Sequence, residues 1–403
     1  MRISTAQMYQ KNITSVLDRQ SATSKIMEQI ASGKKVNTAG DDPIAAIGID
    51  NLNKKNALVD QYIKNIDYAN YRLSLAESKL GGAQELVSTM KEQVLSAMNG
   101  ALDGTDRQAI ATDIKANLEA LLGIANATDE SGNYIFAGNK TSSPPFAFDA
   151  SGQIVYSGDN GIRQAIVASG ITIGTNLPGD NAFMKAPNPL GDFGVNYLPG
   201  QQGDLYINSA KIADPASHVA IAPEQYTFSF SDNGAGGLDL QVTDSAGNNQ
   251  VFPNFDPSQP VSFNGIEVSL DGAPAAGDSF TLTPQTEVNV FDTMEQIVTI
   301  LNDPSKMGTP QGDSELAQLL NQIDNCAEEI DINRGIAGNE LKKIEDYQSA
   351  HTEEKLINTS ALSMLEDLDL AEAITELQKQ QLALSAVSNV FTKVGSTSLF
   401  DYL

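Results

Sequence analysis

Tryptophan is absent from these 403 residues, cysteine occurs once and histidine twice. The lone Cys326 cannot close an internal disulfide, so a disulfide-stapled secreted scaffold is excluded. His218 and His351 lie in different regions of the chain. There is no H-E-x-x-H, Walker loop or G-x-S-x-G, and carboxylate pairs such as Glu328-Glu329 are ordinary for exposed helices. The glycine-rich "DNGAGGLD" lacks the spacing of a calcium loop and reads as a turn. The sequence therefore predicts no catalytic residue, no cofactor and no metal. No window approaches the ~20 apolar residues that span a bilayer. The start, "MRISTAQMYQKNITSVLDRQ", has no apolar run of signal-peptide type. The expectation is a soluble chain that, if exported, leaves by a route that reads no cleaved signal. Positive charge is scarce: 25 Lys and Arg face 51 Asp and Glu, a formal net charge of −26. Nucleic acid and anionic membranes are excluded as partners on that ground.

What the chain has in quantity is long-range helical periodicity. Ile13, Val16, Thr23, Met27 and Ile30 form one helical stripe, which Gly33 ends. Asp42 is placed to cap a second helix, with Pro43 at its first position and Asp41 adding charge at the helix's positive end. Residues 34–42 therefore read as a connector. Leu52, Val59, Ile66, Leu73, Leu80, Val87 and Val94 then recur every seven residues. Tyr62, Ala69, Ala76, Ala83, Met90 and Ala97 follow three positions behind, with Lys55 the exception. That is a heptad seam. From Leu52 to Val94 it would run roughly 63 Å, too long for a compact domain to cover.

Heptads return near the end. Leu316, Ile323, Ile330, Ala337 and Ile344 form one row. Leu320, Ala327 and Leu341 accompany it, and Arg334 interrupts the companion row. Leu370, Leu377, Leu384 and Phe391 form a last stripe. Cys326 reads as a small core residue, and His351 as a solvated or interhelical contact on the seam row. Between the helical arms, the alternation at Tyr226, Phe228 and Phe230 and at Leu238, Leu240 and Val242 predicts strands. Asn264-Gly265 between two apolar runs predicts a hairpin. The insert is expected to be antiparallel β, a small barrel or sandwich, in one or two modules. Residues 140–290 carry 15 acidic and 4 basic side chains, residues 1–44 carry 4 and 6, and residues 360–403 carry 6 and 2. The two ends attract, while the insert repels its own copies.

The predicted fold is α+β: a long antiparallel coiled-coil bundle from the two arms, with an antiparallel β insert. Residues 1–42 with 362–403 form terminal helices, 43–185 with 290–361 a long bundle with a β-hairpin, and 186–289 a β domain. The terminal stripes are too narrow to hold lone helices. The ends are therefore expected to stay unfolded in a free monomer and to become helical on assembly.

Two stretches carry a family resemblance. "IASGKKVNTAGDDPIAAIGI" resembles the N-terminal segment of bacterial flagellins and their junction relatives. "LEDLDLAEAITELQKQQLALSAVSNVFTKVGSTSLFDYL" resembles the matching C-terminal segment. "MRISTAQMY", "GNYIFAGNKTSSPPF" and "YSGDNGIRQAIVASGITIGTN" are similar to the hook-associated protein 3 group in particular. The resemblance implies a structural subunit, not an enzyme, exported through the flagellar type III channel to the hook–filament junction. It implies as partners its own copies in a tubular layer, the hook-side hook-associated protein 1, flagellin, and a cytoplasmic export chaperone over the exposed C-terminal stripe. Gly33, Lys34, Lys35, Asn37, Asp41, Asp42 and Pro43 would then link an inner-layer helix to an outer-layer one. The competing readings are a flagellin, which shares the arms, and a secreted coiled-coil adhesin.

Overall fold

The structure, a computed structural model, describes residues 5–100 and 102–396. The chain opens with helices α1 (Thr5–Ser32), α2 (Pro43–Ala97) and α3 (Gly104–Ala125). Strands β1 (Phe146–Phe148), β2 (Ile154–Tyr156), β3 (Gln164–Ala168) and β4 (Ile171–Gly174) follow, then the short α4 (Gly179–Phe183). Next come β5 (Ala186–Pro187), β6 (Phe193–Tyr197), β7 (Asp204–Ile212), β8 (Tyr226–Asp232), β9 (Leu238–Asp244) and β10 (Asn249–Phe252). They lead to β11 (Val261–Phe263), β12 (Ile266–Ala273), β13 (Ser279–Pro284) and β14 (Glu287–Val288). Helices α5 (Val290–Leu301), α6 (Pro310–Glu366) and α7 (Leu370–Ser396) close the chain. The residues divide into two compact units, one of 1–64 with 346–403 and one of 65–345. The long helices α2 and α6, 55 and 57 residues, each contribute to both.

In the unit of residues 65–345 the heptad seam is the core. Ile66, Leu73, Leu80, Val87 and Val94 are buried on α2, with Ala69, Ala76, Ala83, Met90 and Ala97 buried beside them. On α6, Leu316, Ile323, Ile330, Ala337 and Ile344 are buried without exception. The alanines leave room for close approach, so the hydrophobic gain comes from length, not from large side chains. Arg334, which interrupts the companion row, ties the helices together: Nη2 donates to Glu77 Oε1 at 2.7 Å and Nη1 to Gln84 Oε1 at 2.6 Å. Cys326 is a buried core residue, as predicted, and burial pushes its thiol up to about 12. Helix α3 starts at a capping box between Asp103 and Asp106 and packs on α5. The hairpin β1–β2 adds Phe146 and Ile154 to this core, where Phe146 meets Phe183 edge-on at 5.6 Å.

Residues 190–284 form one β module with a separate apolar cluster. A five-stranded antiparallel sheet, β10-β9-β8-β13-β6, and a three-stranded one, β11-β12-β7, share it, so the insert is a sandwich. The Asn264-Gly265 turn is as read: both residues have positive φ, 45° and 71°, which the tight turn of a twisted hairpin requires. The module closes at a neck, where β5 pairs with β14 and Asn188 bonds the Thr286 and Gln285 carbonyls. It is also fastened to α6 through buried polar groups: Ser314 Oγ donates to the Leu205 carbonyl at 2.6 Å and accepts from Gln201 at 3.0 Å. No described helix is long and apolar enough to cross a membrane.

Candidate assembly interface

The other unit, residues 1–64 with 346–403, is built from the two chain ends. Helices α1 and α7 lie against each other. Their contact is thin: Thr23 on α1 and Ala373 on α7 are the buried side chains among those described. Val16, Ile30, Leu377 and Leu384 are half-buried. Ile13, Met27 and Leu370 are 39%, 47% and 51% exposed. The packed face of α1 thus runs through Thr23, with Met27 turned out of it. Arg19 reaches Gln380 across the pair at 3.0 Å. The side chain of Phe391 lies outside the described residues.

The segment between α1 and α2 is ordered by its own sequence. Gly33 has φ +71°, the left-handed cap that stops α1. Asp42 caps α2 by accepting from the Ile44 and Ala45 amides, both at 3.0 Å, and Pro43 takes the first helical position. Asp41 works differently from the expectation of a charge placed for the helix end. Its Oδ2 accepts from the Asn37 and Thr38 amides, and its Oδ1 pairs with Lys25 of α1 at 2.7 Å. The Lys25 ammonium, then the Thr38 amide, hold its carboxyl well below the usual carboxylate range. The clamp is therefore fully charged at neutral pH. What it contributes is present above the ordinary carboxylate pKa and lost only as pH falls through the depressed one.

A second connector meets the first. Between α6 and α7 the chain bends at residues 367–369, and Lys34 and Asp367 form an antiparallel bridge. Lys35 N donates to the Glu366 carbonyl at 2.7 Å, and Leu368 N donates to the Gly33 carbonyl at 3.0 Å. Lys34 also pairs with Glu366, and Lys35 Nζ reaches the Met364 carbonyl at 2.8 Å. Sequence reading found Gly33, Lys34, Lys35, Asn37, Asp41, Asp42 and Pro43 but missed their partners Lys25, Glu366 and Asp367. It also missed Val36 and Ala45, the apolar residues buried here. Backbone bonds between segments over 300 residues apart leave no side-chain pattern to read. Gly33→Ala should cost about 1 kcal/mol, because the left-handed conformation penalises a Cβ that has nothing near it to contact. Hydrogen exchange at the Lys35 and Leu368 amides should lose protection first.

The adjoining helix stretches bury fewer apolar residues than the 65–345 core. On α2, Val59 is buried and Leu52 half-buried. On α6 the seam row continues with polar residues, His351 and Asn358, both buried. His351 is an interhelical contact, stacked on Tyr62 with ring centroids 5.3 Å apart. Facing away from the seam, Ile44 is 85% exposed, Leu356 70% and Met364 75%, and Ile47, Leu58 and Ile357 are exposed too. Neither of the two buried apolar clusters among the described residues includes a side chain of this unit. Large exposed apolar side chains are thus numerous on this unit, and where such side chains gather they mark interaction surfaces.

Residues 3–141 match the bacterial flagellin N-terminal helical region. Flagellar hook-associated protein 3 of Escherichia coli strain K12 is 28% identical over 401 residues, 100% of this chain and 99% of the relative. The protein of the same name from Salmonella typhimurium is 36% identical over 166 residues, 41% of this chain and 52% of the relative. The crystal structure of flagellar hook associated protein-3 from Legionella pneumophila superposes with a TM-score of 0.68 at 28% identity, over 79% of this chain and 98% of that one. Flagellins match as well, but more distantly. A thin terminal helix pair, ordered connectors, a heptad bundle and a β sandwich are thus found in a chain that is similar along its whole length to flagellar hook-associated protein 3 and that carries a match to the flagellin N-terminal helical region.

Proposed function

We propose that this chain is a structural subunit of the bacterial flagellum at the hook–filament junction, joining a hook-side junction protein of the hook-associated protein 1 type to the flagellin filament. The observation that carries this is the shortage of buried and the abundance of exposed apolar residues in the unit made of the chain ends. Its seam is polar at His351 and Asn358, while Ile44, Ile47, Leu356 and Met364 face outward. Such a unit gains its hydrophobic stabilisation only when other chains cover it, at about 25 cal/mol per Å² of apolar surface removed from water. The first occupants are copies of the same chain in a tubular layer. Ile13, Met27 and Leu370 are offered to them, and the connectors from Gly33 to Pro43 and at 367–369 carry the chain from an inner layer to an outer one. Export precedes assembly, by the flagellar type III route, and a cytoplasmic chaperone shields the exposed stripe of α7 until then.

A flagellin would share the terminal helices and the seam. The two roles differ in whether the chain propagates by itself. Purified protein at high concentration, viewed by negative-stain microscopy, should give short oligomers or rings. Long filaments would sink the junction role in favour of the filament subunit.

A further inference from the structure

The unit of residues 65–345 holds a buried cationic cluster that the assembly role does not use. Arg72 on α2 is 6% exposed. Its Nη1 donates to Asp129 Oδ2 at 2.7 Å, and the face of Tyr68 lies 5.6 Å from its guanidinium carbon. Arg163, just before β3, is half-buried and close enough to Arg72 and Asp129 to feel both charges. Its backbone is pinned: its amide donates to Asn176 Oδ1 at 2.7 Å, and its carbonyl accepts from the Thr175 amide at 2.8 Å. Three buried donors of the cluster find no acceptor among the described residues: Arg72 Nε, Arg163 Nε and Arg163 Nη2.

The carboxylates nearby each use at least one oxygen to close their own loops. Asp129 Oδ1 accepts from the Ser131 and Asn133 amides, both at 2.9 Å, which closes its own loop. Asp159 Oδ1 accepts from the Asn139 and Gly161 amides at 2.7 and 2.9 Å. Arg72 is thus paired with Asp129, while Arg163 feels the charges of Asp129 and Asp159 but forms no ion pair with either among the described residues, in a chain whose net charge is −26. Buried charged donors are ordinarily matched, and a guanidinium is matched best by an oxyanion that takes two parallel N–H groups.

We propose that Arg163, backed by Arg72, is a binding site for one oxyanion, a carboxylate or a phosphate, reached from the side of Arg163, which is only half-buried. The anion comes either from solution or from an Asp or Glu of a second copy. The proposal stands on the cluster alone and does not depend on the junction role. The test follows the arginine Nε–Hε resonances of the full-length protein by NMR. Inorganic phosphate is added to a verified monomer at constant ionic strength, and a protein concentration series is run without phosphate. A saturable shift of the Arg72 and Arg163 signals with phosphate, weakened at least about tenfold in Arg163→Gln, establishes a site for a free oxyanion. The same signals shifting only with protein concentration, and not in Arg163→Gln, assign the carboxylate to a second copy. No response in either series, or an Arg72 response that persists unchanged in Arg163→Gln, overturns the proposal, leaving donors that water alone satisfies. Should Arg163→Gln fail to fold, Arg163→Lys keeps the charge but not the fork. Undiminished phosphate affinity in that variant would equally overturn it.

Discussion

Leu73→Asp is expected to cost more than about 4 kcal/mol, enough to unfold much of the helical core at ambient temperature. Leu73 is 1% exposed in the middle of the α2 seam, with Ala69 and Ala76 buried one turn to either side. A carboxylate there loses its hydration and gains no cation. It must bind a proton or push α2 from its partners, and the deleted methyl groups leave a cavity as well. Thermal unfolding followed by circular dichroism at 222 nm reads the outcome. A control such as Glu85→Gln, on an exposed position of the same helix, should move the midpoint very little. An unchanged midpoint in Leu73→Asp would mean that the seam does not carry the stability ascribed to it.

The second large effect concerns the chain ends. Limited proteolysis of a verified monomer should cut α1 and α7 early and leave a resistant fragment that begins near Asp42. These helices are 28 and 27 residues long, and helices in proteins draw most of their stability from packing an apolar face. Their mutual contact buries little beyond Thr23 and Ala373. Ordering the backbone costs roughly 1–2 kcal/mol per residue, which so thin a contact does not offset. The paired helices are thus an arrangement that the proposed assembly with neighbouring copies would stabilise. Early cutting would fit a chain that must pass a narrow channel and not polymerise beforehand. Ends that resist protease as well as Leu73 to Val94 does would show that their folding is independent of assembly.

Much of this was legible in the sequence because the signals were periodic or local. The seven-residue spacing from Val59 to Val94 coincides with buried side chains of α2, and the helix start at Asp42-Pro43 and the hairpin at Asn264-Gly265 were each written in two residues. The terminal stripe was read less well. A four-residue step from Thr23 to Met27 looks like one face, yet Thr23 is buried, its hydroxyl bonded to the Arg19 carbonyl one turn back, and Met27 is exposed. The order of strands in the sandwich, with β13 between β8 and β6, was out of reach. So was the bonding of Lys35 to Glu366. Both depend on backbone groups far apart in the chain, which every residue carries alike. The Arg72–Asp129 pair was hidden for a related reason: single charges 57 positions apart show no pattern until the fold brings them together.

The central claim, a place between hook and filament, is tested most directly by deleting the coding sequence from the source bacterium and recovering both cells and medium. The junction role predicts complete hooks without filaments, with flagellin accumulating unpolymerised in the medium, and restoration by the full-length chain. Filaments of normal length on the deletion strain would contradict it.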